Sequence, residues 1–250
     1  TTLVSVMTAN NETGVLQPIS EVVEISRRYG AKVHTDAVQA AGKMTLNFLD
    51  WGVDFMTLSA HKIGGPQGVG AIICRQRDLL RPMMLGGGQE GGLRAGTENV
   101  AGIAGFGVAS TLAMYEAIED SGAISMLRDY LEEILLSKAP NIKIFGAQVK
   151  RLPNTSCLTM PGVRSDKQVM TFDLAGVAIS AGAACSAGKI HSSHVLEAMG
   201  FGLGDISTMV RVSMGPKSTK SDVDSFIKIW SDVWARESRL GNDEAIRSVA

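Results

Sequence analysis

The sequence predicts an α/β protein built on a mostly parallel sheet. Two observations carry this: from Thr2 to Glu119 short apolar strands alternate with helical segments, and near residue 120 the texture changes to longer amphipathic helices with well-separated strands. With 250 residues and 45% hydrophobic composition, the chain can bury one large core or two modest ones. Its 24 Lys and Arg nearly balance its 25 Asp and Glu, and no basic stripe marks a phosphate backbone as a partner, so nucleic acid is not expected. No apolar run reaches the roughly 18–20 residues that cross a bilayer, and no charged-then-apolar leader is present. A cytoplasmic protein with no membrane partner is expected.

The elements follow in order. Thr2-Leu3-Val4-Ser5-Val6-Met7 reads as a buried strand. A central strand needs neighbours on both sides and no initiator Met precedes this one, so further sequence is expected upstream. Pro18 opens a helical pattern through Ile19, Val22, Val23 and Ser26 that stops at Gly30. Ala31 to Asp36 is a strand ending in an acid, followed by a small-residue helical turn from Ala37 to Gly42. Asp54 to Leu58 and Gly70 to Cys74 are further apolar strands. A glycine-rich stretch at 86–92 leads through Arg94 and Thr97 into a small-residue helix from Glu98 to Glu119. Beyond it, strands are expected at Ile142–Phe145, Ser156–Met160, Val177–Ser180 and Val210–Met214. In the last helix Ser221 and Asp224 fit a capping box, while Val223, Phe226, Ile227, Trp230 and Trp234 form one apolar face. After Arg236 the polar sequence suggests a frayed or mobile end. The domains are set at 1–118 and 119–250.

Ligands of open parallel sheets collect beyond the carboxyl ends of strands, which directs attention to Asn10-Asn11, Asp36 with Gln39, Ser59 to Lys62, and Cys185. A lysine directly after a buried strand is costly to desolvate. Condensing with a carbonyl cofactor removes that cost; a side chain that reaches solvent is the alternative. Asp36 could hold a pyridine nitrogen protonated, or cap a helix. Gln39 and Asn11 could donate to a phenolate oxygen, or be ordinary loop residues. Ser59, His61 and Thr97 carry donors for an anion, and the helix beginning near Thr97 offers backbone N–H groups. Neither a P-loop nor a dinucleotide fingerprint is present.

Three cysteines form no CxxC pair, and neither a disulfide framework nor a zinc ribbon is suggested. Cys185 lies in the small-residue run Ser180 to Gly188, suited to a thiol that must travel and react. Cys74 and Cys157 read as buried packing residues. Cys185 with His191 and His194 supplies too few ligands for a metal, and none is expected. Arg211 interrupts the apolar strand 210–214; it clamps a carboxylate or closes a structural salt bridge.

Taken together, Asn11, Asp36-Ala37-Val38-Gln39, Ser59-Ala60-His61-Lys62, Gly86-Gly87-Gly88-Gln89-Glu90, Arg94-Ala95-Gly96-Thr97-Glu98-Asn99 and Ala184-Cys185-Ser186 resemble the cysteine desulfurases, NifS-like members of the class V aminotransferase group. The resemblance runs from residue 1 to about 236. It implies a PLP-dependent transferase-like fold of type I, with helices on both faces of the sheet and a smaller C-terminal α+β domain. It also implies a homodimer that uses pyridoxal 5'-phosphate to convert L-cysteine to L-alanine, leaving a persulfide on Cys185. Lys62 would bind the cofactor covalently, Asp36 would face the pyridine nitrogen, and Gln39 and Asn11 would bond the ring oxygen. Ser59 and His61 would hold the phosphate, Thr97 would reach the phosphate of the other subunit, and Asn11 and Arg211 would bind the substrate. The sulfur acceptor implied is an iron–sulfur scaffold or another acceptor protein. The family's upstream Gly/Thr phosphate loop and ring-stacking His have no counterpart here. Selenocysteine lyase is the nearest enzymatic alternative; a catalytically inactive sulfur-transfer or scaffold partner is the alternative of another class.

Overall fold

A computed structural model describes residues 1–182 and 193–249, with side chains for all of these except 116, 118 and 238–249. The chain forms two compact units, Thr1–Asn10 with Leu16–Ser121, and Asn11–Val15 with Gly122–Ala250.

The first unit is a four-stranded sheet with helices. Its strands are β1 (Leu3–Met7), β2 (Lys32–Asp36), β3 (Phe55–Ser59) and β4 (Gly70–Cys74), adjacent in that order. β1, β2 and β3 run parallel and β4 returns antiparallel to β3, a mixed, mostly parallel sheet as the strand–helix alternation predicts. Between β1 and β2 lies α1 (Ile19–Arg28), whose Ile19 and Val23 are buried against Val33 and Val53, with Val4 and Val6 packed around them. Gly30 follows at φ 69°, a left-handed position that costs a side chain about 1 kcal/mol, and it lets the chain turn directly into β2. Alternation puts Leu3, Ser5 and Met7 on the opposite face, where Leu3 is 49% and Met7 38% exposed. Among the described residues β1 has one neighbouring strand, β2. Cys74, on the largely exposed β4, is half-buried rather than a core residue.

α2 (Phe48–Trp51) is a single turn capped by Asn47, which accepts from the Asp50 N–H at 3.1 Å. α3 (Val100–Glu119) begins two residues later than expected. Asn99 accepts from the Gly102 N–H at 3.1 Å, so a side chain already occupies one of the free amides that a phosphate would use. α3 lies against the segment that follows β3, and the approach is close. A methyl built on Gly102 would come within 2.4 Å of Val69 Cγ2, and one on Gly105 within 2.7 Å of Pro66 Cγ.

In the second unit the order is α4 (Ser121–Lys138), β5 (Thr155–Thr159), α5 (Ser165–Leu174), β6 (Ser180–Ala181), α6 (His194–Ala198), α7 (Leu203–Ser207), β7 (Met209–Ser213) and α8 (Lys220–Val249). β7 lies centrally, antiparallel to both β5 and β6. α4, α5 and α8 bury Leu131, Leu135, Phe172, Phe226 and Trp230 against Leu158 and Val210 of the sheet. Phe172 stacks on Phe226 at 4.7 Å and Trp230 on Trp234 at 5.6 Å between ring centroids.

Four expectations change here. The strand expected at Val177–Ser180 is confined to Ser180–Ala181. Ile142–Phe145 is not a strand; it makes one isolated bridge, Ile144 to Leu158. α8 starts before Ser221, so the capping box is Thr219 with Asp222, and Asp224 instead meets Lys220 and the Tyr130 hydroxyl. Past Arg236, α8 continues as helix to Val249 in place of a frayed end.

Candidate active site

Because β2 and β3 are parallel neighbours, their carboxyl ends lie at one edge of the sheet, and Asp36 is in register with Thr57, two residues before Ser59. Asp36 is exposed at the end of β2, and its Oδ1 accepts from the Val38 N–H at 2.9 Å, which closes the turn and aims the carboxylate outward. Its Oδ2 has no partner among the described residues. Gln39 is half-buried in the same turn, with its carbonyl accepting from Lys43 Nζ at 2.8 Å.

β3 runs into a 3-10 turn, Ala60–Ile63, that presents Lys62. Ala60 at the start of the turn is fully buried and its N–H donates to the Val69 carbonyl at 3.0 Å, which anchors the turn to the strand following it. Lys62 is half-buried, and among the described residues its ammonium has no hydrogen-bond or ion-pair partner. Ser59 Oγ and His61 Nδ1 are 2.8 Å apart, a hydroxyl and an imidazole held side by side in reach of an anion. Thr97 is exposed in the loop before α3, with its carbonyl accepting from Arg94 at 3.3 Å. The same sheet face carries His34, which bridges Ser5 Oγ at 2.7 Å and Thr57 Oγ1 at 3.1 Å and is thereby accounted for structurally.

A second group belongs to the second unit. Arg211 is in register with Cys157 on one side and Ser180 on the other. Its Nη1 donates to the Asn11 carbonyl at 2.7 Å and its Nη2 to Ser180 Oγ at 3.3 Å, so Asn11 and Arg211, 200 residues apart, are brought together. No carboxylate pairs with the guanidinium among the described residues. Its buried Nε has no partner there. Cys157 beside it is fully buried, and burial, reinforced by the nearby Glu12 carboxylate, pushes its thiol far above the ordinary range, which removes it as a nucleophile. Cys185 and His191 lie outside the described residues, while His194 is exposed at the start of α6. Sequence reading passed over Glu12 and Ser193. Glu12 is 1% exposed and accepts a hydrogen bond from Ser193 Oγ. A charged residue inside the run Asn10-Asn11-Glu12-Thr13 was the available signal.

The model of the class-V aminotransferases matches residues 1–226. The chain belongs to the aminotransferase class-V family. Similar proteins include a cysteine desulfurase of Cereibacter sphaeroides, 41% identical over 227 residues that make up 91% of this chain and 58% of the relative. A cysteine desulfurase of Trichormus azollae is 38% identical over 248 residues, 98% of this chain and 62% of the relative. Among solved structures, the NifS-like protein of Rickettsia africae ESF-5 superposes with a TM-score of 0.84 at 40% identity, over 93% of this chain and 62% of that one. SspA in complex with cysteine matches at a TM-score of 0.70 and 30% identity, over 87% of this chain and 60% of that one. This class-V chain thus spans about 60% of the length of the relatives it matches.

Class-V cysteine desulfurases depend on pyridoxal 5'-phosphate. The residues at the sheet edge fit that group chemically. The Lys62 primary amine suits its carbonyl carbon, the exposed carboxylate of Asp36 suits its pyridine nitrogen, and the Ser59–His61 pair suits its phosphate. Among the described residues no helix is long and apolar enough to cross a membrane.

Proposed function

We propose that this protein is a cysteine desulfurase that takes sulfur from L-cysteine. The observation that carries the reading is the half-buried Lys62 amine, without a partner among the described residues, on the turn after β3, beside a strand that ends in an exposed Asp36 carboxylate. In this proposal Lys62 anchors pyridoxal 5'-phosphate, Asp36 keeps its ring nitrogen protonated, Gln39 and Asn11 bond its ring oxygen, and Ser59 and His61 hold its phosphate. When bound, the cofactor supplies an electron sink for the substrate Cα. Lys62 moves the proton at that carbon, and Arg211 pairs with the substrate carboxylate through N–H groups that Asn11 and Ser180 leave free. The Cys185 thiol receives the sulfur: L-cysteine and an enzyme thiol give L-alanine and an enzyme persulfide, with atoms and electrons balanced.

The finer assignments belong to the same proposal. They are the remainder of a large cofactor-binding domain at 1–118, a small domain at 119–250 carrying Cys185, and a homodimer in which Thr97 serves the other subunit's phosphate. An iron–sulfur scaffold or similar acceptor takes the sulfur, and the protein works in the cytoplasm. The test is direct. Purified protein reduced with borohydride should carry the cofactor on Lys62, and L-cysteine should yield alanine and a persulfide on Cys185. A colourless protein with no reducible linkage, or unchanged sulfide release from Cys185→Ser, would overturn it.

A further inference from the structure

Across the three strands of the second unit's sheet, one row of paired residues runs from Cys157 on β5 through Arg211 on β7 to Ser180 on β6. Residues paired across antiparallel strands project to the same face with Cβ atoms about 4.5–5.5 Å apart, so a thiol, a guanidinium and a hydroxyl stand side by side. The thiol end of the row is closed, because Cys157 is fully buried. Ser180, at the other end, is half-buried, and its strand has β7 as its one neighbour among the described residues. Within the row, an anion paired with Arg211 therefore meets Ser180 and not Cys157.

The count of donors and acceptors fixes what Ser180 can do there. A guanidinium only donates, so in the 3.3 Å contact with Arg211 Nη2 the Ser180 hydroxyl is the acceptor. Its own proton points elsewhere, and among the described residues nothing accepts it. Arg211 keeps further N–H groups on Nη1 and Nη2 after bonding Asn11 and Ser180. Its Nε is buried, so a ligand takes the terminal nitrogens, of which Nη2 is the one beside Ser180. One anionic oxygen at that point satisfies the cation and the hydroxyl together, and a hydroxyl already accepting from a cation is a stronger donor. We infer that Ser180 is a substrate-binding residue that donates its hydroxyl proton to the α-carboxylate paired with Arg211, and so selects amino acids with a free carboxylate. The inference rests on the desulfurase reading and adds a side chain to its substrate site.

The experiment uses the full, cofactor-loaded protein and compares the parent with Ser180→Thr, Ser180→Val and Ser180→Ala. Thr and Val suit a strand equally and differ by a hydroxyl against a methyl. KM and kcat for L-cysteine are measured on each, together with the dissociation constants of L-alanine and L-alaninamide read from the cofactor absorbance. Ser180→Val and Ser180→Ala should raise KM and the L-alanine dissociation constant roughly tenfold to a hundredfold, the worth of a hydrogen bond to a charged group. The loss should fall on KM rather than kcat, because the carboxylate is held alike before and during the reaction. Ser180→Thr should recover most of it. L-alaninamide carries a neutral amide in place of the carboxylate and should lose less than L-alanine does. A Ser180→Val protein that binds L-alanine as tightly as Ser180→Thr overturns the inference, and so does an equal loss for L-alanine and L-alaninamide. Where L-alaninamide binds too weakly to measure, the comparison of Thr with Val decides, and Ser180→Ala replaces Ser180→Val if the latter does not fold. A parent that makes no alanine from L-cysteine defeats the desulfurase reading; a parent that does, with variants that bind L-alanine as it does, defeats the role of Ser180 alone.

Discussion

Removing Arg151 should unseat the second unit by an amount that the structure sets. Its guanidinium meets Glu132 with two parallel bonds of 2.8 Å, the two side chains are 6% and 10% exposed, and Ser156 Oγ gives Glu132 Oε1 a third bond of 2.8 Å. In Arg151→Ala the carboxylate stays buried with the Ser156 hydroxyl in place of three donors. Breaking one side of such a pair costs about 3–5 kcal/mol. With a urea dependence of roughly 2–3 kcal/mol per molar, the unfolding midpoint of this unit should fall by about 1–2.5 M. Tryptophan fluorescence reports it, since Trp230 is fully buried in that core and stacked on Trp234. The triple replacement Arg151→Met, Glu132→Leu, Ser156→Ala removes every polar group of the network together and should lie within about 1 kcal/mol of the parent. A single variant that loses less than about 1 kcal/mol, or a triple variant worse than the single, would refute the assignment of the cost to an orphaned charge.

Other outcomes follow from the same packing. Leu131→Ala, at a fully buried position of α4, should cost about 2–5 kcal/mol by equilibrium unfolding. The Thr219 N–H and hydroxyl hold the Asp222 carboxyl below its ordinary pKa. Its stabilisation is therefore present above the unfolded value of about 3.9 and is lost as pH falls through the lower folded value. Asp222→Ala should accordingly lower the thermal midpoint at pH 7, and the gap to the parent should close in acid. Burial holds the Cys157 thiol protonated, so iodoacetamide should leave Cys157 unmodified in the native protein between pH 7 and 9; peptide mapping that finds it alkylated would contradict this.

Legibility differed by kind of feature. β2, β3 and β4 could be read within a residue or so because Val, Ile and Phe runs end at Asp, Ser or Gly, and chemistry at strand ends comes with that reading. At the start of α8 two Ser/Thr-x-x-Asp patterns overlap in sequence. The Thr219 N–H selects Asp222, while Lys220 and the Tyr130 hydroxyl, the latter on a distant helix, claim Asp224. Arg211 read equally well as a carboxylate clamp or half of a salt bridge until its neighbours were visible: a backbone carbonyl and a serine. The Glu12–Ser193 bond joins residues 181 apart, a separation over which periodicity and local motifs carry no information.

The close approach of α3 to the segment after Lys62 constrains how this chain can drift. Elsewhere on the helix Val100 and Val108 are 71% and 63% exposed within the unit. On its inner side a single methyl at Gly102 or Gly105 collides with Val69 or Pro66. A change at 102 or 105 is therefore accommodated when 69 or 66 shrinks or moves with it, so these positions should vary in pairs. The sequence history of an apparently featureless Gly/Ala helix would then carry a record of where the lysine turn has been held.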